Sequence, residues 1–134
     1  MSAEHDKAIF MRFMDEVGKG NLEVVDEVFS PDFVAHFPQY PDWPRGLKGA
    51  RKVLEGARDV QDWEATIEDL VAEEDKVVVR WSFRGRYVGE PKPGSPTPNE
   101  RFVQTSINIY RFEDGRIVDD WGVDAFWKQG TYQD

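Results

Sequence analysis

The stretch from Arg101 to Asp124, RFVQTSINIYRFEDGRIVDDWGVD, constrains this chain most. Asp114-Gly115 lies between two runs rich in β-branched and aromatic residues. Asp-Gly in that setting is a strong hairpin signal, because a two-residue type I′ turn needs positive φ at both central positions. A two-residue turn puts Glu113 opposite Arg116, Asn108 opposite Trp121 and Thr105 opposite Asp124. One face then carries Gln104, Ser106, Asn108, Tyr110, Phe112, Ile117, Asp119, Trp121 and Val123. The other carries Val103, Thr105, Ile107, Ile109, Arg111, Val118, Asp120, Gly122 and Asp124. Neither face is plainly polar, as expected of a sheet with one face toward a cavity and the other partly covered.

The rest of the chain supplies a lid and walls. Ser2 to Gly18 reads as a helix: Ser2 caps it, Glu4 and Asp6 suit its dipole, and Ile9, Phe10, Phe13, Met14 and Val17 form one stripe. Core packing explains that stripe, and Phe10, Phe13 and Met14 can also meet a ligand. Asn21–Phe29 reads as a short second helix, stopped by Ser30-Pro31-Asp32, with a brief extended segment over 32–37. Pro38, Pro41 and Pro44 then make a stiff loop carrying Phe37, Tyr40 and Trp43, a pocket rim or ordinary packing over a helix end. A third helix is expected from Gly46 to Val60, then a strand over 63–72 with a bulge near Asp69. Lys76–Tyr87 alternates most clearly, with Val77, Val79, Trp81, Phe83 and Tyr87 on one face and Arg80 and Arg84 on the other. Residues 89–99 hold four prolines and read as a loop. Helices followed by a strand meander give one α+β domain over 1–134, its helices packed on one face of a curved, mainly antiparallel sheet.

Composition narrows the function. The 134 residues carry a formal charge of −9, from 17 basic and 26 acidic side chains. That balance argues against nucleic acid or an anionic membrane as partner, since both require a basic footprint. With no cysteine there is no thiolate nucleophile and no Cys-ligated metal. Two histidines, His5 and His36, lack partners at ligand spacing, so no metal site is expected. The segment MSAEHDK lacks an apolar core and no run approaches the roughly 20 residues that span a bilayer, so the expectation is a cytoplasmic protein.

What remains is carboxylate acid–base chemistry in an apolar pocket, where desolvation brings an acid toward neutral pH. Asp124, in WGVDAFW, is the leading candidate; Asp120, nearer the turn and beside Asp119, reads as exposed. His36, at a strand end before the proline loop, reads either as a satisfied structural histidine or as a polar pocket group. Tyr87, Asn108, Ser106, Thr105 and Tyr110 can donate to a carbonyl or enolate oxygen. Tyr40, Trp43, Trp81 and Trp121 complete the expected substrate walls, with Phe10, Phe13 and Met14 above.

FVAHFP at 33–38, VVVRWSFRGRYVG at 77–89 and IYRFEDGRIVDDWGVD at 109–124 resemble the SnoaL-like polyketide cyclase family of the nuclear-transport-factor-2-like superfamily. The resemblance implies a conical α+β barrel with an interior hydrophobic pocket and a homodimer through the sheet. It implies intramolecular aldol condensation of a small apolar or polyketide-like molecule, without metal or cofactor. Asp124 matches the family's acid/base aspartate, and His36 a histidine common after the second helix. Gly85-Arg86-Tyr87 departs from the Gly-Thr-His frequent in the family, placing a phenol where an imidazole would stand. The fold also hosts isomerases, hydrolases and non-catalytic binding modules, so a module that only holds its ligand is the competing expectation.

Overall fold

The computed structural model describes residues 2–91, 93 and 95–126, the last three by their backbone alone. Helix α1 spans Ala3–Gly18, capped by Ser2, whose Oγ accepts from the backbone N–H of His5. It ends at Lys19, and Gly20 turns the chain with φ +88°. Helix α2 is a short Val24–Val28. Strand β1 follows directly as Phe29–His36, three residues earlier than the proline suggested; Pro31 falls where its pairing is irregular, so no ladder bond is missed there. Helix α3 covers Gly46–Glu55 and tightens into a 3-10 turn over Gly56–Asp59, short of the expected Val60. Strands β2 Val60–Glu73, β3 Lys76–Tyr87, β4 Arg101–Glu113 and β5 Arg116–Phe126 complete the chain.

The strands form one sheet in the order β1-β5-β4-β3-β2, antiparallel except where β1 runs parallel to β5. The sheet is curved but unclosed: β1 and β2 are its two edges and are not paired with each other, so the barrel is open on one side. α1 lies against β2 and β3, and α3 against β1. The expected bulge at Asp69 is present as a register shift between Ile67 and Asp69. At the β4–β5 turn Asp114 and Gly115 both take positive φ, 52° and 78°, the geometry the Asp-Gly pair foretells.

The core sits between α1, α2 and the concave face. The Phe10 ring packs on Tyr110 at 4.8 Å, and Phe29 meets Phe33 edge to face at 5.0 Å. Phe10, Phe33, Val24, Val25 and Ile117 are at most 2% exposed, each stabilising the fold by roughly 1.5–3 kcal/mol through burial. On β4 the burial alternates strictly from Ser106 to Phe112, while Ile107 and Ile109 face outward. No helix among the described residues is long and apolar enough to cross a membrane.

Candidate functional site

The hairpin departs from strict alternation at one place, and that place makes the site. Glu113 pairs with Arg116 and Phe112 with Ile117, as a two-residue turn requires, but Arg111 then pairs with Asp119, leaving Val118 as an extra residue. Ile117 and Val118 are consecutive and both buried, which regular alternation does not give in a strand with one open face; the bulge allows it and shifts every later side chain by one position. Asn108 therefore faces Gly122 rather than Trp121, and Ser106 rather than Thr105 pairs with Asp124.

This shift exchanges the two neighbouring aspartates. Asp119 faces outward, where Arg111 Nε donates to it at 2.7 Å and His36 Nε2 lies 2.8 Å away. Partial burial pushes the Asp119 carboxyl up. Hydrogen bonds from His36 and Arg111, with the charge of both, outweigh that and hold it below the usual carboxylate range. Asp120 turns inward and is 1% exposed, which corrects the expectation that it is solvated.

Asp120 borders a cavity of about 670 Å³ between α1, the Tyr40–Trp43 loop, α3 and the concave sheet. Phe10, Phe13, Met14, Tyr40, Trp43, Trp81 and Tyr87 all line it, as does Gln104. Glu55 and Asp59 also border it, but Asp120 is the buried acid among the described lining residues. The Tyr87 hydroxyl is committed to the Glu90 carbonyl at 2.7 Å. Asn108 stands behind the wall, 5% exposed: its Nδ2 donates to Asp120 Oδ1 at 2.8 Å, and its Oδ1 accepts from Trp81 Nε1 at 2.9 Å.

Two expected site residues lie elsewhere. Trp121, displaced by the bulge, is 38% exposed on the outer face. His36 stacks on it with ring centroids 4.8 Å apart and an 11° tilt, so its imidazole serves the outer face and does not border the cavity. The backbone of Asp124 pairs with Ser106, and its side chain lies outside the described residues. The signal that could have found Asp120 is the adjacent Ile117-Val118 pair, two apolar residues where alternation demands one.

The model of the family described as SnoaL-like polyketide cyclase matches residues 8–128. The chain belongs to the SnoaL-like polyketide cyclase family. Among solved structures, TsrD from Streptomyces laurentii is similar at 30% identity and a TM-score of 0.77, over 92% of this chain and 90% of that one. IdmH from Streptomyces antibioticus, a candidate polyketide cyclase, is 27% identical with a TM-score of 0.69, over 89% and 91% of the two chains. A nuclear-transport-factor-2-like protein from Burkholderia xenovorans LB400, at 18% identity and a TM-score of 0.67 over 93% and 92%, shares the fold. No curated protein sequence matches the chain. In this SnoaL-like chain the buried carboxylate that borders the cavity is Asp120, one residue before Trp121 in the DGRIVDDW segment.

Proposed function

We propose that this SnoaL-like protein is a cofactor-independent cyclase that closes a ring in a polyketide-like carbonyl compound by intramolecular aldol condensation. Asp120 is the general base. Its carboxylate removes a proton from a carbon flanked by carbonyl groups, and the C–H electron pair becomes an enolate. The enolate carbon attacks a second carbonyl of the same molecule, forming the new C–C bond. The resulting alkoxide takes a proton, returned by the Asp120 carboxylic acid, so the step is balanced without a redox partner. Gln104 offers a neutral amide N–H to the enolate oxygen. The aromatic walls hold the substrate and keep water from competing for the proton.

The observation that carries this reading is one carboxyl group, 1% exposed, bordering an aromatic-lined cavity of about 670 Å³. The test is turnover of linear aromatic poly-β-ketones by wild type, Asp120→Asn and Asp124→Asn, with folding checked by circular dichroism and retention of the substrate by calorimetry. Loss of cyclisation in Asp120→Asn with binding intact supports the proposal. Cyclisation retained in Asp120→Asn and lost in Asp124→Asn moves the base to Asp124, and binding without cyclisation by wild type leaves a ligand-holding module.

The protein acts as a homodimer in this reading, joined through the outer face of the sheet. Val71, Ile107, Ile109, Trp121 and Val123 stand 36–65% exposed there. The pairs Ile107–Val123 and Ile109–Trp121 are cross-strand neighbours, which makes the patch continuous. Both charge signs border it, Arg80 bonded to Asp69 at 2.7 Å, as a self-complementary two-fold contact requires. Five strands about 4.8 Å apart and 11 residues of β5 give a face of roughly 24 by 36 Å, close to the ~800 Å² per partner of a stable interface.

A further inference from the structure

The side-chain amide of Asn108 has only one orientation open to it. An indole nitrogen donates and never accepts, so the group 2.9 Å from Trp81 Nε1 must be the amide oxygen. Ser106 Oγ donates to that same oxygen. The amide nitrogen is thereby turned toward Asp120, where it donates to Oδ1 at 2.8 Å. Every one of these groups is on the concave side, and Ser106, Asn108 and Asp120 are at most 5% exposed, so no bulk water competes for the bonds.

This arrangement needs space that a side chain on β5 would take. Gly122 is the residue opposite Asn108. A Cβ built on it would overlap Asn108 Nδ2, stand 3.2 Å from Cγ and 3.4 Å from the Phe37 ring. Gly122 is not among the glycines with positive φ, so backbone conformation does not demand glycine there. The demand is for room. The amide cannot swing aside cheaply, because doing so would break its bonds to Trp81 and Ser106 in a buried setting.

We propose that Gly122 and Asn108 are positioning residues for Asp120: the bare Cα of Gly122 leaves the space in which the Asn108 amide, locked by Trp81 and Ser106, grips one carboxyl oxygen and sets the carboxyl against the cavity. The proposal rests on the reading of Asp120 as the proton-transfer group. An amide N–H donated to a carboxyl oxygen favours the carboxylate over the acid, so the grip bears on the form in which the group can accept a proton. Adding a methyl at Gly122 removes this grip without touching substrate or changing any charge.

The test is a ¹³C NMR titration of the Asp120 carboxyl, its signal assigned by its absence in Asp120→Asn. Gly122→Ala is expected to move the midpoint upward by about one pH unit, the effect of losing one charge-assisted hydrogen bond. Asn108→Ala removes the donor without adding bulk and is expected to move it equally. The double variant is expected to match Asn108→Ala alone, because the new methyl then occupies vacated space. Midpoints that stay at the wild-type value in the folded single variants overturn the proposal, as do shifts that add in the double variant. The readout needs no substrate: shifted midpoints together with full cyclisation by Asp120→Asn would uphold the grip and overturn the catalytic role.

Discussion

Replacing Asp6 with Asn is expected to stabilise the protein at neutral pH and to do so less in acid. Asp6 lies in the first turn of α1, is 2% exposed, and its Oδ1 has no hydrogen-bond partner among the described residues. Burial is the largest influence on the carboxyl and raises it above the ordinary range. Asp75, in the β2–β3 turn, adds to that, while His5 and the amino terminus pull down without reversing it. Two effects compete in Asp6→Asn. The negative charge at a helix N-terminus is worth about 0.3–1 kcal/mol, and the amide forfeits it. A buried oxygen left unsatisfied costs about 1–3 kcal/mol, more when charged, and the amide is relieved of the charge. The second effect is larger, so the variant gains about 1 kcal/mol at pH 7.5, or about 4 °C in Tm.

The pH dependence follows from linkage. A carboxyl raised in the folded state contributes most below its unfolded value, and that contribution is lost as pH rises through the folded value. The advantage of Asp6→Asn is therefore full at neutral pH and shrinks as pH falls toward the unfolded carboxyl's value, where Asp6 is itself uncharged. Urea melts of both proteins at pH 7.5 and pH 4.5 measure it. A variant less stable at pH 7.5, or a gain that does not shrink in acid, refutes the reasoning.

Two further outcomes are expected. His36→Ala costs no more than about 1 kcal/mol, since the imidazole is 39% exposed and its pair with Asp119 is screened, and it leaves turnover unchanged because His36 lies outside the cavity; loss of turnover with stability intact would place His36 in the chemistry. Val123→Asp sets a charge on the outer-face patch and is expected to convert the proposed dimer to a monomer in light scattering, whereas an unchanged dimer mass would place the interface elsewhere.

How much of this was legible beforehand depended on whether neighbouring residues alone decide the outcome. The Asp114-Gly115 turn is local chemistry, and its two positive φ angles follow from it. The β3 alternation put Val77, Val79 and Tyr87 inside because period two admits no other choice once one face is buried. Tyr40, Trp43, Phe10, Phe13 and Met14 border the cavity, but stripe and loop position alone left that open beside ordinary core packing. The register beyond Phe112 was not legible from alternation. It depends on Ile117 and Val118 both being buried, which the packing around the strand decides and the strand's own pattern does not. One extra residue there moved Trp121 out to His36 and Asp120 in to Asn108. The role of Gly122 was equally hidden, because only the position of the Asn108 amide across the strand gives its missing side chain a meaning.

In the proposed reaction Asp120 accepts a proton from carbon. Deuterium exchange from D₂O into the acidic carbon of aryl β-keto esters, followed by proton NMR, reads that step without requiring ring closure. Wild type is expected to accelerate exchange above the buffer background and Asp120→Asn to lose about 10²–10⁴-fold of that acceleration. Exchange by folded Asp120→Asn at the wild-type rate would contradict it.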